Sequence, residues 1–231
     1  MATCPHLRHL RRPRAFALPA LLGLSLLPAA AAAQPAASGE TPAADPLFAP
    51  RSAVRRGGLA AGIAGGLALG SAAGFPNDVQ KIGFQRHYTE TGVGVGGGGY
   101  VWIGGALADW LTFGAAFGGH GLSAADHTSL AGGFMLHTEV FPLFSLADRW
   151  RDVGVTFDAG TGVADTTADA DGAEVIDGAL PARIGGGVFY EGIRLWKVAM
   201  GPWLYADYTW STSVRQPGFY LGWRTALYTG P

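Results

Sequence analysis

Six ionisable side chains fall where paired charges could be built: Asp158 with Arg183, Asp207 with Arg224, and His137 two residues before Glu139. An acid and a guanidinium held together out of water act either as a gate on a polar path or as a plug whose charges satisfy one another. Residues 158 and 183 are about equally distant from the middle of the stretch Asp165 to Asp177, so a symmetric hairpin would set them opposite each other. His127, Ser129 and Glu139 supply the residue types of nucleophilic hydrolysis, in which a base-activated hydroxyl attacks an acyl carbon. Asp165, Asp169, Asp171, Glu174 and Asp177 supply oxygen ligands of the kind calcium takes, but their spacing departs from the EF-hand order and reads as a solvated loop. The tetraglycine Gly96 to Gly99 lacks the strand, helix and Lys setting of a phosphate loop and reads as a tightly packed strand. These patterns call for no cofactor, no metal and no catalytic residue.

The elements that position such residues must suit an unusual composition. Charged residues are 14% of the 231, and there are 37 glycines. That is too apolar for disorder and too rich in Gly for a helical globule, where each interior Gly costs about 1 kcal/mol. Residues 1 to 33 run from a basic start (Arg8 to Arg14) through an apolar core (Ala15 to Leu27) to small residues before Gln34, the order of a secretory signal peptide. Removing its four arginines leaves 12 basic against 17 acidic residues, a net charge near −5, and takes away the electrostatic case for nucleic acid. The single cysteine, Cys4, goes with it, so neither a disulfide frame nor a thiolate metal site is available. Residues 34 to 56, Ala- and Pro-rich at first, read as a flexible periplasmic leader.

From residue 57 onward, turn signals divide the chain into apolar segments of the length a tilted strand needs to cross an outer membrane. Successive residues of a strand face opposite sides, so each segment can be sorted into two faces. In the last, Phe219, Leu221, Trp223 and Leu227 oppose Tyr220, Gly222, Arg224 and Tyr228; in the one before, Leu204, Ala206 and Tyr208 oppose Trp203, Tyr205 and Asp207. Phe157 opposes Asp158, Ile184 opposes Arg183, Phe117 opposes His120, and Leu136 opposes His137 and Glu139. In six segments the mid-strand charges share the small-residue face. A charged Arg on a lipid face at the midplane would cost roughly 2 to 4 kcal/mol, so the sorting has a physical cause. Segment 92–107 does not sort, because Tyr100 and Trp102 alternate with Val101 and Ile103. The first segment, Gly58 to Gly70, sets Leu59, Ile63, Leu67 and Leu69 against Ala and Gly. Its glycines at 58, 62, 66, 70 and 74 also fit a small-residue seam between membrane helices. The strand is preferred because bacterial single-chain barrels have an even number of staves.

The expected fold is therefore all-β, an eight-stranded antiparallel up-and-down transmembrane barrel over 57–231. Outer loops are expected near 75–91, 123–128, 165–177 and 211–217, and inner turns near 108–110, 142–152 and 191–196, with a short helical turn in the second. Trp110, Trp150 and Trp196 fall at inner turns and Trp210 at the outer rim, where amphipathic rings favour the membrane interface.

Residues 57 to 228 resemble the eight-stranded bacterial outer-membrane β-barrel proteins, including the transmembrane domain of outer-membrane protein A. The closing stretch Gly218 to Tyr228 is similar to the carboxy-terminal strand read by the barrel assembly machinery of that class, although Thr229, Gly230 and Pro231 follow the last aromatic. The resemblance implies a porin-like protein of the Gram-negative outer membrane, with lipopolysaccharide and other outer-membrane lipids as neighbours and that machinery as a partner. The pair His127 and Ser129 resembles lipid A deacylase weakly, since Leu130 stands where that family has Asn. Three functions stay open: a structural or surface-interacting barrel with Asp158, Arg183, Asp207, Arg224, His137 and Glu139 plugging its lumen, a narrow pore for small or apolar solutes, and a lipid-modifying enzyme. A soluble periplasmic ligand-binding barrel is the architectural alternative.

Overall fold

The protein is seen in a computed structural model that describes residues 56–146 and 148–230. The expected signal peptide, 1–33, and the leader up to residue 55 lie outside the described residues. Eight long strands follow: β1 (Gly58–Gly70), β2 (Gly94–Ala108), β3 (Leu111–Ala124), β4 (His127–Val140), β5 (Val153–Ala168), β6 (Glu174–Tyr190), β7 (Val198–Trp210) and β8 (Val214–Tyr228). Each pairs antiparallel with the next, and β8 pairs with both β7 and β1. The sheet closes on itself, so its long staves leave no edge to template aggregation.

Period-two alternation decides which way each stave faces. On β1, Leu59, Ile63 and Leu67 are exposed while Ala60, Ala64 and Ala68 are buried. Its glycine period of four is also a multiple of two, so Gly58, Gly62, Gly66 and Gly70 share the inward parity of a strand as readily as a helical seam; backbone pairing with β2 and β8 settles it as strand. On β2, Tyr100 and Trp102 point in and Val101 and Ile103 point out. Size alone cannot sort that stave because both faces carry bulky groups. The inward face of β1 supplies only small side chains, and the rings of Tyr100 and Trp102 occupy the interior of the neighbouring stave.

The staves run further outward than expected. The loops expected at 123–128, 165–177 and 211–217 contract to 125–126, 169–173 and 211–213. Continued alternation explains this: Ala131, Ala164, Ile176 and Val214, together with Ala72, form a second buried apolar cluster at the outer end, separate from the main one around Tyr100, Trp203 and Tyr205. One long outer connection remains, residues 71–93, whose short strands Ala73–Gly74 and Thr89–Glu90 extend the sheet beyond β8. The long inner turn carries a 3-10 helix at Asp148–Asp152.

Candidate functional site

The staves deliver their polar side chains to one place, the lumen, and the site is built from parity and register. Asp158 on β5, Arg183 on β6, Asp207 on β7, Arg224 on β8, and His137 and Glu139 on β4 are all buried there, none more than 6% exposed. Their partners differ from the expected ones. Asp158 stands opposite Gly185, and Arg183 opposite Gly160, two residues off a direct Asp158–Arg183 pairing. The cause lies in the β5–β6 ladder, which shifts register by one residue between Thr166 and Thr167 and by another between Thr161 and Val163, where Leu180 takes a left-handed φ of 51° and Pro181 has no N–H to give. Arg224 likewise does not pair with Asp207.

Two polar clusters result. Toward the outer end, Arg183 donates from Nε to Asp207 Oδ2 at 2.9 Å and from a second nitrogen to the same oxygen, while its Nη1 reaches the Gly118 carbonyl at 2.7 Å. Tyr220 donates its hydroxyl to Asp207 at 2.8 Å and also meets His120, whose other ring nitrogen lies 3.1 Å from the Gln216 amide. Toward the inner end, His137 stands between two carboxylates, Asp158 at 2.7 Å on Nδ1 and Glu139 at 2.9 Å on Nε2. Both ring nitrogens can donate at once only in the imidazolium form. Glu139 in turn takes a bond from Arg224, which donates to Glu191 at 2.9 Å.

Between the clusters lies a layer of rings. Trp203 stacks on Tyr205 at 5.4 Å, and Tyr100 packs against both at 5.5 Å. Trp102 stacks on His137 at 5.1 Å, tying the layer to the inner cluster. These rings fit because glycines face them: a Cβ on Gly185 would lie 2.0 Å from the Tyr205 hydroxyl oxygen, and one on Gly154 would lie 2.1 Å from the tip of Phe189.

Three members of the inner cluster escaped the sequence reading. Arg56, expected at the end of a loose leader, is 1% exposed. It donates to Asp152 at 3.0 Å, pairs with Glu191 at 3.5 Å and lies over the Phe141 ring at 3.4 Å. Glu191 also accepts from Tyr228 at 2.8 Å, and Asp152 from Arg194 at 3.3 Å. A signal for all three existed. Arg56, Asp152 and Glu191 each lie just beyond a stave, on the inward parity of β1, β5 and β6 respectively.

The hydrolytic constellation is not assembled. The Ser129 hydroxyl bonds Thr166 at 2.9 Å, and Glu139, ten residues along the same stave, is roughly 33 Å away at a strand's rise per residue. Asp165 and Asp177 are directly opposed on β5 and β6, and among the described residues no group of three or more His, Cys, Asp or Glu is arranged to hold a metal ion.

A closed cylinder of eight antiparallel staves with an apolar outer wall and an ionic, aromatic interior is a small up-and-down β-barrel of the architecture that the outer-membrane resemblance implies. No protein-family model matches the chain, and no curated protein matches it. Among solved structures it is similar to Neisserial surface protein A (NspA), at 13% identity over 73% of this chain and 97% of that one, with a TM-score of 0.43. It is also similar to the outer membrane protein OprG from Pseudomonas aeruginosa, at 13% identity over 75% of this chain and 98% of that one, with a TM-score of 0.40.

Proposed function

We propose that this chain is an integral protein of the Gram-negative outer membrane with a mainly structural or surface-interacting role, its lumen stoppered by its own side chains. The observation that carries this reading is the segregation of charge across the wall. Ile63, Ile103, Phe117, Phe134, Phe157 and Ile184 are each half or more exposed on the outer face, on β1 to β6, while the mid-stave charges Glu139, Asp158 and Arg183 of β4 to β6 are buried inside. A soluble protein rarely exposes so continuous an apolar surface, whereas hydrocarbon would cover it.

The stopper follows from the size of the cylinder and the partners within it. Eight staves enclose an interior that side chains nearly fill. Here the ionic clusters and the ring layer occupy it, and each of the six ionisable side chains expected in the lumen from the sequence has an opposite charge or a hydrogen-bond partner at hand. Lipopolysaccharide and phospholipid are the lateral neighbours of such a wall. The barrel assembly machinery is its insertion route, with the alternating β8 stave as the segment to be read.

Membrane fractionation combined with gel mobility before and after boiling tests the location. The expected result is recovery in the outer-membrane fraction, with a fast-migrating folded form converted to a slower one by heat. Recovery in the soluble periplasmic extract overturns it. Steady conductance of the purified barrel in planar bilayers would replace the stoppered lumen with the pore reading.

A further inference from the structure

The outer wall carries a crease at its inner end. Pairing between β6 and β7 runs from Trp210 to Trp203 and stops; β7 pairs again only from Met200 onward, with the short strand Ile193–Leu195 that follows β6. Pro202 sits in the break and has no N–H for the ladder, while the Glu191 N–H turns aside to the Asp152 carbonyl at 2.9 Å. The crease opens a groove of about 430 Å³ whose lining includes Val153, Val188, Leu204 and Leu221, with Arg149 and Trp150 also bordering it. Arg149 and Trp150 belong to the 3-10 helix of the inner turn and are exposed. An apolar slot running into a cation and an amphipathic ring has the layout of one lipid molecule, chain below and headgroup above.

A second groove on the wall makes the contrast. It is larger, about 710 Å³, and is bordered by Phe117, Leu130, Phe134, Val163 and Leu180 over a floor of glycines, with neither Arg nor Lys in its lining. Hydrocarbon alone satisfies that surface. At the inner groove, charge complementarity adds a requirement for an anion at the level of the headgroups.

We infer that the inner groove is a binding site for a single anionic phospholipid of the inner leaflet, its acyl chain lying along Val188, Leu204 and Leu221 and its phosphate at Arg149. The inference rests on the membrane reading above and adds a site and a headgroup class to it.

The test is native mass spectrometry of the folded full chain in detergent micelles holding equimolar phosphatidylglycerol and phosphatidylcholine with identical chains. The wild type is expected to retain phosphatidylglycerol over phosphatidylcholine by about fivefold, the preference one basic residue near a membrane surface confers. Arg149→Gln should bring that ratio close to one, and Val188→Trp, which fills the slot from the outer wall, should reduce retention of both lipids. Heat-modifiable mobility reports that each variant is folded, and Leu204→Trp replaces Val188→Trp should that variant not fold. Equal retention of the two lipids by the wild type, or an unchanged ratio in Arg149→Gln, overturns the site and leaves the membrane reading standing. A chain that stays soluble and monodisperse without detergent overturns the membrane reading itself.

Discussion

Arg183 and Asp207 sit on neighbouring staves two residues out of register, and the guanidinium spans that offset to meet one carboxylate oxygen through two of its nitrogens. Tyr220 donates to the same oxygen from the far side, on β8, so three consecutive staves are tied through one acid. Charges buried this deeply stabilise a fold only while they remain paired.

Arg183→Ala should therefore lower the heat and denaturant resistance of the folded barrel by about 3 kcal/mol, because it strands the Asp207 carboxylate in the lumen. A double-mutant cycle locates the partner. Coupling between Arg183→Ala and Asp207→Asn should exceed about 1 kcal/mol, while coupling between Arg183→Ala and Asp158→Asn should stay within about 0.5 kcal/mol. Equal coupling to both acids would contradict the register described for β5 and β6.

Gly185 and Tyr205 give a steric test of the ring layer. A Cβ on Gly185 would lie 2.0 Å from the Tyr205 hydroxyl oxygen, which is held by stacking on Trp203. Gly185→Leu should destabilise the barrel by about 1 to 3 kcal/mol, the usual cost of overpacking. Combining it with Tyr205→Ala should recover part of that loss. Gly121→Leu is the control, since a Cβ there meets only Leu130 at an ordinary 3.8 Å on the outer wall. The folded fraction of all three after refolding, read by gel mobility, decides the matter; a Gly121→Leu defect as large as that of Gly185→Leu would sink the assignment of faces.

Parity carried most of the architecture, because a one-residue slip moves a whole side-chain set from lumen to lipid. It placed Asp158, Arg183, Asp207, Arg224, His137 and Glu139 inside without any knowledge of their partners. Partners depend on register, and register here turns on two local irregularities of the β5–β6 ladder, one at Thr166 and Thr167 and one beside Pro181 at Leu180, whose left-handed φ a sequence of β-formers does not announce. Tyr100 and Trp102 were illegible for a different reason, as amphipathic rings suit lumen and membrane rim equally well. Arg56, Asp152 and Glu191 were missed because parity was counted only within the apolar runs, although the inward parity of β1, β5 and β6 reaches as far as these three residues.

Asp78, in the long outer connection, gives a local dependence on pH. The Gln80 backbone N–H at 2.9 Å and the Lys81 ammonium at 3.2 Å hold its carboxyl below the ordinary carboxylate range. A depressed acid contributes its stabilisation above the unfolded pKa, about 3.9 for Asp, and loses it as pH falls through the lower folded value. The turn at 78–82 should thus hold unchanged from neutral pH down to about 4 and loosen below that. Amide exchange at Gln80, corrected for its intrinsic pH dependence, should show protection lost over that acid range and lost at all pH values in Asp78→Ala. Protection that is the same in both chains would remove the carboxylate from the account.

Glu191 anchors the inner end of the lumen, where it takes Arg224 at 2.9 Å, Tyr228 at 2.8 Å and Arg56 within 3.5 Å. Without it, Arg56 and Arg224 would share a buried space with one acid fewer. Glu191→Ala should cost about 3 to 5 kcal/mol, the range for unpairing a buried ion. Glu191→Gln keeps the shape and one acceptor oxygen, and should cost less. The two variants also separate a stopper from a strut. If the inner cluster seals the lumen, Glu191→Ala barrels that still fold should pass ions in planar bilayers while the wild type stays silent, because two guanidiniums short of one counter-charge recruit water and chloride. A variant that loses heat resistance yet remains silent would confine Glu191 to holding the staves together and leave the ring layer of Tyr100, Trp203 and Tyr205 as the barrier.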